Sequence, residues 1–194
     1  MGITKEKDLR FAKANAKIVS AFKKLAQIKK FENITVCELC KNAGIDRKTF
    51  YLHYKNIEEL LVKILDDFNF EFARLLHGRN VSDLGSVVRE HIVFILKKGV
   101  FYEKIMTDSA YSYIASRNAR RFFAMYPVLY EPFSGLDANE ANIVVSFVNT
   151  SYFQMVTRWV QDGKKIPLER FIDLVTNLIS NGIGDIVKTT KELS

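Results

Sequence analysis

The chain has 194 residues, of which 48% are hydrophobic, 26% charged and 12% aromatic, with 9 Gly, 3 Pro and a net charge of +7. These figures suit one globular domain, or a small module fused to a larger one, and exclude collagen-like, low-complexity and disordered chains. Two cysteines cannot form a disulfide framework or, by themselves, a four-ligand zinc site.

The opening residues MGITKEKDLR are charged, and nowhere do about eighteen apolar residues run together. The expectation is therefore a chain with neither signal peptide nor membrane span, placed in the cytoplasm. The charge is unevenly spread. Residues 1–56 carry thirteen Lys and Arg against five Asp and Glu, a net of +8, while residues 57–194 sum to −1. A concentrated positive face is what a nucleic-acid partner requires, although a solvated lysine-rich surface gives the same count.

In the stretch from Leu9 to Phe31, Ile18, Phe22, Leu25 and Ile28 recur at steps of three and four, which predicts an amphipathic first helix. Thr35 with Glu38 three residues on is a capping pair, so a second helix starts there and stops near Gly44, a residue able to take a left-handed turn. Asp46 caps a third helix, Arg47 to Tyr54, in which Phe50 and Tyr54 face inward. Its other face carries Arg47, Lys48, Thr49, Tyr51 and His53, donors that suit base edges and phosphates in a major groove. A helix, a tight turn and a donor-rich helix make a helix-turn-helix. Asn56 with Glu59 then caps a fourth helix, whose first N–H groups beside Lys55 suit a phosphate.

The fourth helix keeps an apolar stripe from Leu60 to Leu76, about three times the length of the third. Further helices are expected from Leu84 to Gly99, from Tyr102 to Thr107 and from Ser109 to Met125, followed by a loop at Val128–Leu136. Asp137 caps a long helix that runs through Trp159, and Pro167 opens a last helix ending at Asn181-Gly182. These last two helices are apolar over more than one face, as helices are that bury against both their own core and a second subunit.

Within residues 34–61, the run Thr35-Val36, Glu38-Leu39, Ala43-Gly44-Ile45, Thr49-Phe50-Tyr51, His53-Tyr54-Lys55-Asn56 and Glu59-Leu60-Leu61 resembles the DNA-binding segment of TetR-type (tetracycline-repressor-like) transcriptional regulators. The resemblance implies an all-α fold: an N-terminal three-helix DNA-binding domain, residues 1–56, and a C-terminal helical bundle, residues 57–194, for effector binding and dimerisation. It also implies a homodimer on double-stranded DNA whose two recognition helices read a palindromic operator. By position, Arg47, Lys48, Thr49 and Tyr51 become base and phosphate contacts, and Thr35, His53 and Lys55 backbone anchors. Packing against the first helix is the alternative for His53 and Tyr51. Lys48 stands where many relatives carry a small residue or Pro, so their operators do not transfer. The run Trp159-Val160-Gln161-Asp162-Gly163 with Pro167 also resembles a branch of the family that controls dihydroxyacetone kinase operons.

Cys37-Glu38-Leu39-Cys40 has the spacing of a redox motif, but Cys40 falls where the family has a small core residue and Cys37 on an exposed position. His77 and His91 have no ligand partner at a useful spacing, so no metal or cofactor is expected. No nucleophile is paired with a base and no Gly-rich phosphate loop is present, which argues against an enzyme. Aromatic residues crowd the C-terminal two thirds. Tyr102, Met106, Tyr113, Phe122, Tyr126 and Phe153 are candidates to line a pocket for a small apolar or aromatic effector, with plain core packing as the alternative. The sequence thus points to a repressor released by such an effector, or to a regulator of the same fold switched by a protein partner.

Overall fold

The structure, a computed structural model, describes residues 2–77, 84–108, 110, 111, 113–115, 117, 118 and 137–182. The described residues form α1 (Gly2–Ile28), a 3-10 turn (Phe31–Asn33), α2 (Val36–Ala43), α3 (Arg47–His53), α4 (Ile57–His77), α5 (Leu84–Lys98), α6 (Val100–Thr107), α7 (Ala138–Gln161) and α8 (Leu168–Asn181). The described residues between 110 and 118 are helical as well, and no strand is present among the described residues. The fold is all-α, with the helix-turn-helix at the N-terminal end. The expected loop at Val128–Leu136 and the C-terminal tail after Gly182 lie outside the described residues, as does the end of the helix expected to reach Met125.

Local chemistry explains the boundaries. Thr35 Oγ1 accepts the Glu38 N–H at 3.2 Å and Asp46 Oδ1 accepts the Thr49 N–H at 2.7 Å, so two of the predicted caps close the open starts of α2 and α3. Asp137 and Glu140 form a complete capping box at the start of α7. Several boundaries differ from expectation, among them the start of α6, at Val100 instead of Tyr102. α1 begins at Gly2, not Leu9, and ends at Ile28, where the Lys104 ammonium donates to the carbonyls of Gln27 and Lys29 at 3.1 and 3.2 Å and satisfies them from outside the helix. Pro167 occupies the N-cap of α8 and lies just ahead of the first turn.

Among the described residues one apolar core joins the N-terminal helices to the C-terminal ones. Ile18, Phe22 and Leu25 of α1 meet Leu39 of α2 and Phe50 of α3 at one end. Leu60, Leu61, Ile64 and Phe68 of α4 carry the core on to Ile92 and Ile95 of α5, Ile105 of α6, Tyr152 and Val156 of α7, and Ile172 and Val175 of α8. Each fully buried Leu, Ile or Phe contributes about 1.5–3 kcal/mol relative to exposure. Trp159 secures the junction of the last two helices, beside α6, where Lys164 pairs with Glu103 at 2.8 Å. Its ring stacks on Phe171 with centroids 4.5 Å apart, and its Nε1 donates to the Ile166 carbonyl at 2.7 Å, fixing the turn between α7 and α8.

Candidate nucleic-acid interface

The turn between α2 and α3 sets the direction of α3. Gly44 adopts φ 62°, ψ 45°, and the N–H groups of Gly44 and Ile45 return to the carbonyls of Lys41 and Cys40 at 3.3 and 3.1 Å, the paired bonds of a Schellman ending. A side chain at that φ costs about 1–2 kcal/mol, which is why glycine stands there. Two residues later Asp46 starts α3, its carboxyl held below the usual range mainly by the Thr49 N–H. Phe50, fully buried, and Tyr54, whose hydroxyl donates to Asn15 Oδ1, pin the inner face of α3 against α1. A Lys29–Glu38 ion pair of 2.7 Å ties the end of α1 to α2.

With Phe50 inward, the residues named from sequence fall on the outside of α3 or beside it. Arg47, Lys48 and Tyr51 are exposed and Thr49 is half-buried. The Arg47 guanidinium lies 6.0 Å from the Tyr51 ring centre, and a hydrogen bond to Tyr51 holds its pKa above the ordinary arginine value, so the two side chains are presented together. Thr35 is exposed, and its oxygen accepts the α2 cap bond, which leaves the hydroxyl proton to donate outward. Lys55 is exposed just before α4.

His53 takes the packing alternative. Its ring stacks on Phe11 of α1 with centroids 3.8 Å apart, and burial pushes its pKa below 6.5, so near neutral pH it is an uncharged donor rather than a cation. At the start of α4, Asn56 Oδ1 accepts the Glu59 N–H at 2.8 Å and Glu59 accepts the Lys55 N–H at 2.5 Å, so Asn56 caps the helix as expected and the Glu59 carboxylate stands beside its first turn. Cys40 is buried and Cys37 exposed, both as free thiols, with burial pushing the Cys40 thiol up.

Away from this surface, a cavity of about 40 Å³ lies among α4, α5, α6, α7 and the helical residues between 110 and 118. Tyr102, Met106 and Phe153, three of the six effector candidates, line it. Tyr113 does not. It is 68% exposed, because Tyr111, Ile114 and Asn118 occupy the inward side of its helix, and it holds the Arg117 guanidinium 5.8 Å from its ring centre. Phe122 and Tyr126 lie outside the described residues.

Sequence reasoning passed over the polar part of the cavity. Asn118, buried, accepts from Asn69 Nδ2 at 2.5 Å and donates to Asp66 at 2.8 Å. His91 sits against Phe72, with ring centroids 4.6 Å apart, and near Tyr152 and Phe153, and burial lowers its pKa to about 4. The available signal was a histidine inside the apolar stripe of α5, a position that packing alone does not ask for.

No protein-family model matches the chain. The HTH-type dhaKLM operon transcriptional activator DhaS of Lactococcus lactis subsp. lactis (strain IL1403) is 30% identical to it over 109 residues, 55% of this chain and 52% of that protein, so the chain spans about half the length of this relative. Among solved structures, a TetR transcriptional regulator from Streptococcus agalactiae 2603V superposes with a TM-score of 0.67 at 21% identity, covering 91% of this chain and 98% of that one. The transcriptional regulator FadR from Bacillus subtilis, solved in complex with stearoyl-CoA, gives 0.66 at 16% identity, covering 87% and 98%. The chain has the fold of the TetR-type regulators, the family that its residues 34–61 resemble.

Proposed function

We propose that the chain is a homodimeric, sequence-specific DNA-binding transcriptional regulator, a repressor that leaves a palindromic operator when a small apolar or aromatic effector enters the cavity beside His91. Residues 1–56 act as the DNA-binding domain and residues 57–194 as the effector-binding and dimerisation domain. The observation that carries this reading is the outer face of α3. A short helix anchored by a fully buried Phe50 presents Arg47, Lys48 and Tyr51 to solvent, on the segment that holds the whole positive excess of the chain. In a dimer reading two half-sites, the α3 copies stand about 34–36 Å apart, one turn of duplex. Ile143 and Phe147, one turn apart and exposed on α7, supply apolar surface for the subunit contact.

The effector part rests on the cavity and on FadR, which was solved with stearoyl-CoA. Drug-sized ligands occupy roughly 300–1,000 Å³, whereas 40 Å³ takes a few waters. An effector must therefore push the lining apart, and that displacement is what it has to offer a switch. The small volume also favours a second reading, in which the same DNA module is switched by a protein partner.

Selection of bound fragments from random duplexes tests the first claim: the expected product is a two-fold symmetric consensus, and an unstructured pool refutes sequence-specific binding. A thermal-shift screen separates the two switches. Stabilisation by small apolar compounds supports the effector reading, and no shift with any of them supports the partner.

A further inference from the structure

We infer that Tyr102 is the positioning residue that carries the state of the cavity to the DNA-binding end, through the hydrogen bond from Lys23; the inference rests on the DNA-binding reading above. Tyr102 belongs to two surfaces at once. Its ring forms part of the cavity wall and stacks on Phe68, with centroids 4.7 Å apart and planes 25° apart. Its hydroxyl accepts a hydrogen bond from Lys23 Nζ of α1 at 3.0 Å. The two residues are 79 positions apart in the chain, so no local structure brings them together.

Lys23 does not behave as a solvated surface lysine. Its ammonium also lies 4.8 Å from the Tyr102 ring centre and 5.4 Å from that of Phe101, and it is half-buried. On either side of this bond α6 grips α1 again. Phe101 meets the fully buried Phe22 edge-on at 6.0 Å, and Lys104 holds the last carbonyls of α1. α6 is a single eight-residue rod that starts from Gly99 at φ 88° and ends at Asp108, so it can tilt as a unit. From the end of α1, the Lys29–Glu38 ion pair leads into α2, and the Schellman turn into α3. Of the three α6 side chains that hold α1, Tyr102 is the one that also lines the cavity.

Filling so small a cavity must move its wall. Phe68 backs the Tyr102 ring on one side, so the ring yields along the direction that changes the Lys23 bond, and α1 follows. Spatial continuity is not itself coupling, and the test has to measure coupling.

Ala115 lines the cavity, so Ala115→Leu fills it from a third helix and stands in for an occupant. Affinity for the selected duplex is measured for the unaltered chain and for Ala115→Leu. It is measured again with each change placed in Tyr102→Phe, which keeps the ring and removes the hydroxyl, and in Lys23→Met, which keeps the stem and removes the donor. Ala115→Leu is expected to weaken DNA binding about tenfold in the unaltered chain and by no more than about twofold in either background, whatever the affinity of that background itself.

Hydrogen exchange of the last turns of α1, which needs no DNA, is expected to rise with Ala115→Leu in the unaltered chain and to stay put with Tyr102→Phe. Coupled exchange with no duplex bound by any variant would sink the DNA reading and leave only the coupling of the cavity to α1 through Tyr102 and Lys23. A tenfold loss that survives in both backgrounds overturns it, as does an Ala115→Leu chain that changes neither affinity nor exchange. Should Ala115→Leu fail to fold by circular dichroism, Ala115→Val makes the same comparison with a smaller insertion.

Discussion

Phe11 and His53 stack ring on ring, 3.8 Å between centroids and 27° between planes, so the N-terminal part of α1 is tied to the last residue of the recognition helix. Half of the Phe11 surface faces solvent, and its ring covers one face of the imidazole, with Tyr54 6.1 Å away as a second neighbour. Removing the stack with Phe11→Ala should return water to His53 and raise its pKa toward 6.5. A proton NMR titration of the imidazole checks this. A pKa unmoved by Phe11→Ala would mean that Tyr54 and the rest of α1 do the desolvating.

His91 makes a stability prediction with a definite sign. Its folded pKa of about 4 lies below the unfolded value of 6.5, so the unfolded chain binds a proton that the folded chain refuses. The neutral ring therefore contributes stability that is fully present above pH 6.5 and is lost as pH falls toward 4, by up to roughly 3 kcal/mol. Urea unfolding at pH 7 and pH 5 should reveal the slope, and His91→Leu should flatten it. An equally steep fall in His91→Leu would assign the loss to other groups.

Gly44→Ala puts a Cβ into empty space, with nothing within 4 Å, yet forces it onto φ +62. The cost is then backbone strain alone, about 1–2 kcal/mol, seen as a drop of a few degrees in Tm. DNA affinity should fall further than stability does, because the turn aims α3. An unchanged Tm would show that the turn relaxes to another geometry.

Where side chain and backbone settle a feature between near neighbours, the sequence was readable. Asp46 to Thr49, Thr35 to Glu38, Asp137 to Glu140 and the left-handed Gly44 are contacts within four residues, and each stands where the sequence put it. Features made by distant partners were not readable. Lys23 and Lys104 find their partners only where α6 meets α1, and the neighbours of His91 come from α4 and α7, far from it in the chain. Tyr113 was misjudged for a simpler reason: aromatic content says that a helix is buried, and only the positions of Tyr111 and Ile114 say which side.

Arg47, held against Tyr51 and pointing to solvent, is expected to read one base position in each half-site. Arg47→Ala should weaken the selected operator by about 10- to 100-fold and relax the preference at that position, while random duplex is little affected. Competition binding with single-position operator variants measures this. Equal loss on every duplex would reassign Arg47 to a phosphate.

The central claim is that the exposed side of α3 enters duplex DNA twice per assembly. The measurement that tests it most directly is a titration of the full chain on the selected duplex, followed by gel shift and by mass of the complex, from 50 to 200 mM salt. Two chains per duplex and a fall in affinity of at least about 100-fold across that range are the predicted result, because a dimer that neutralises several phosphates releases their counterions. One chain per duplex, or an affinity indifferent to salt, would contradict it.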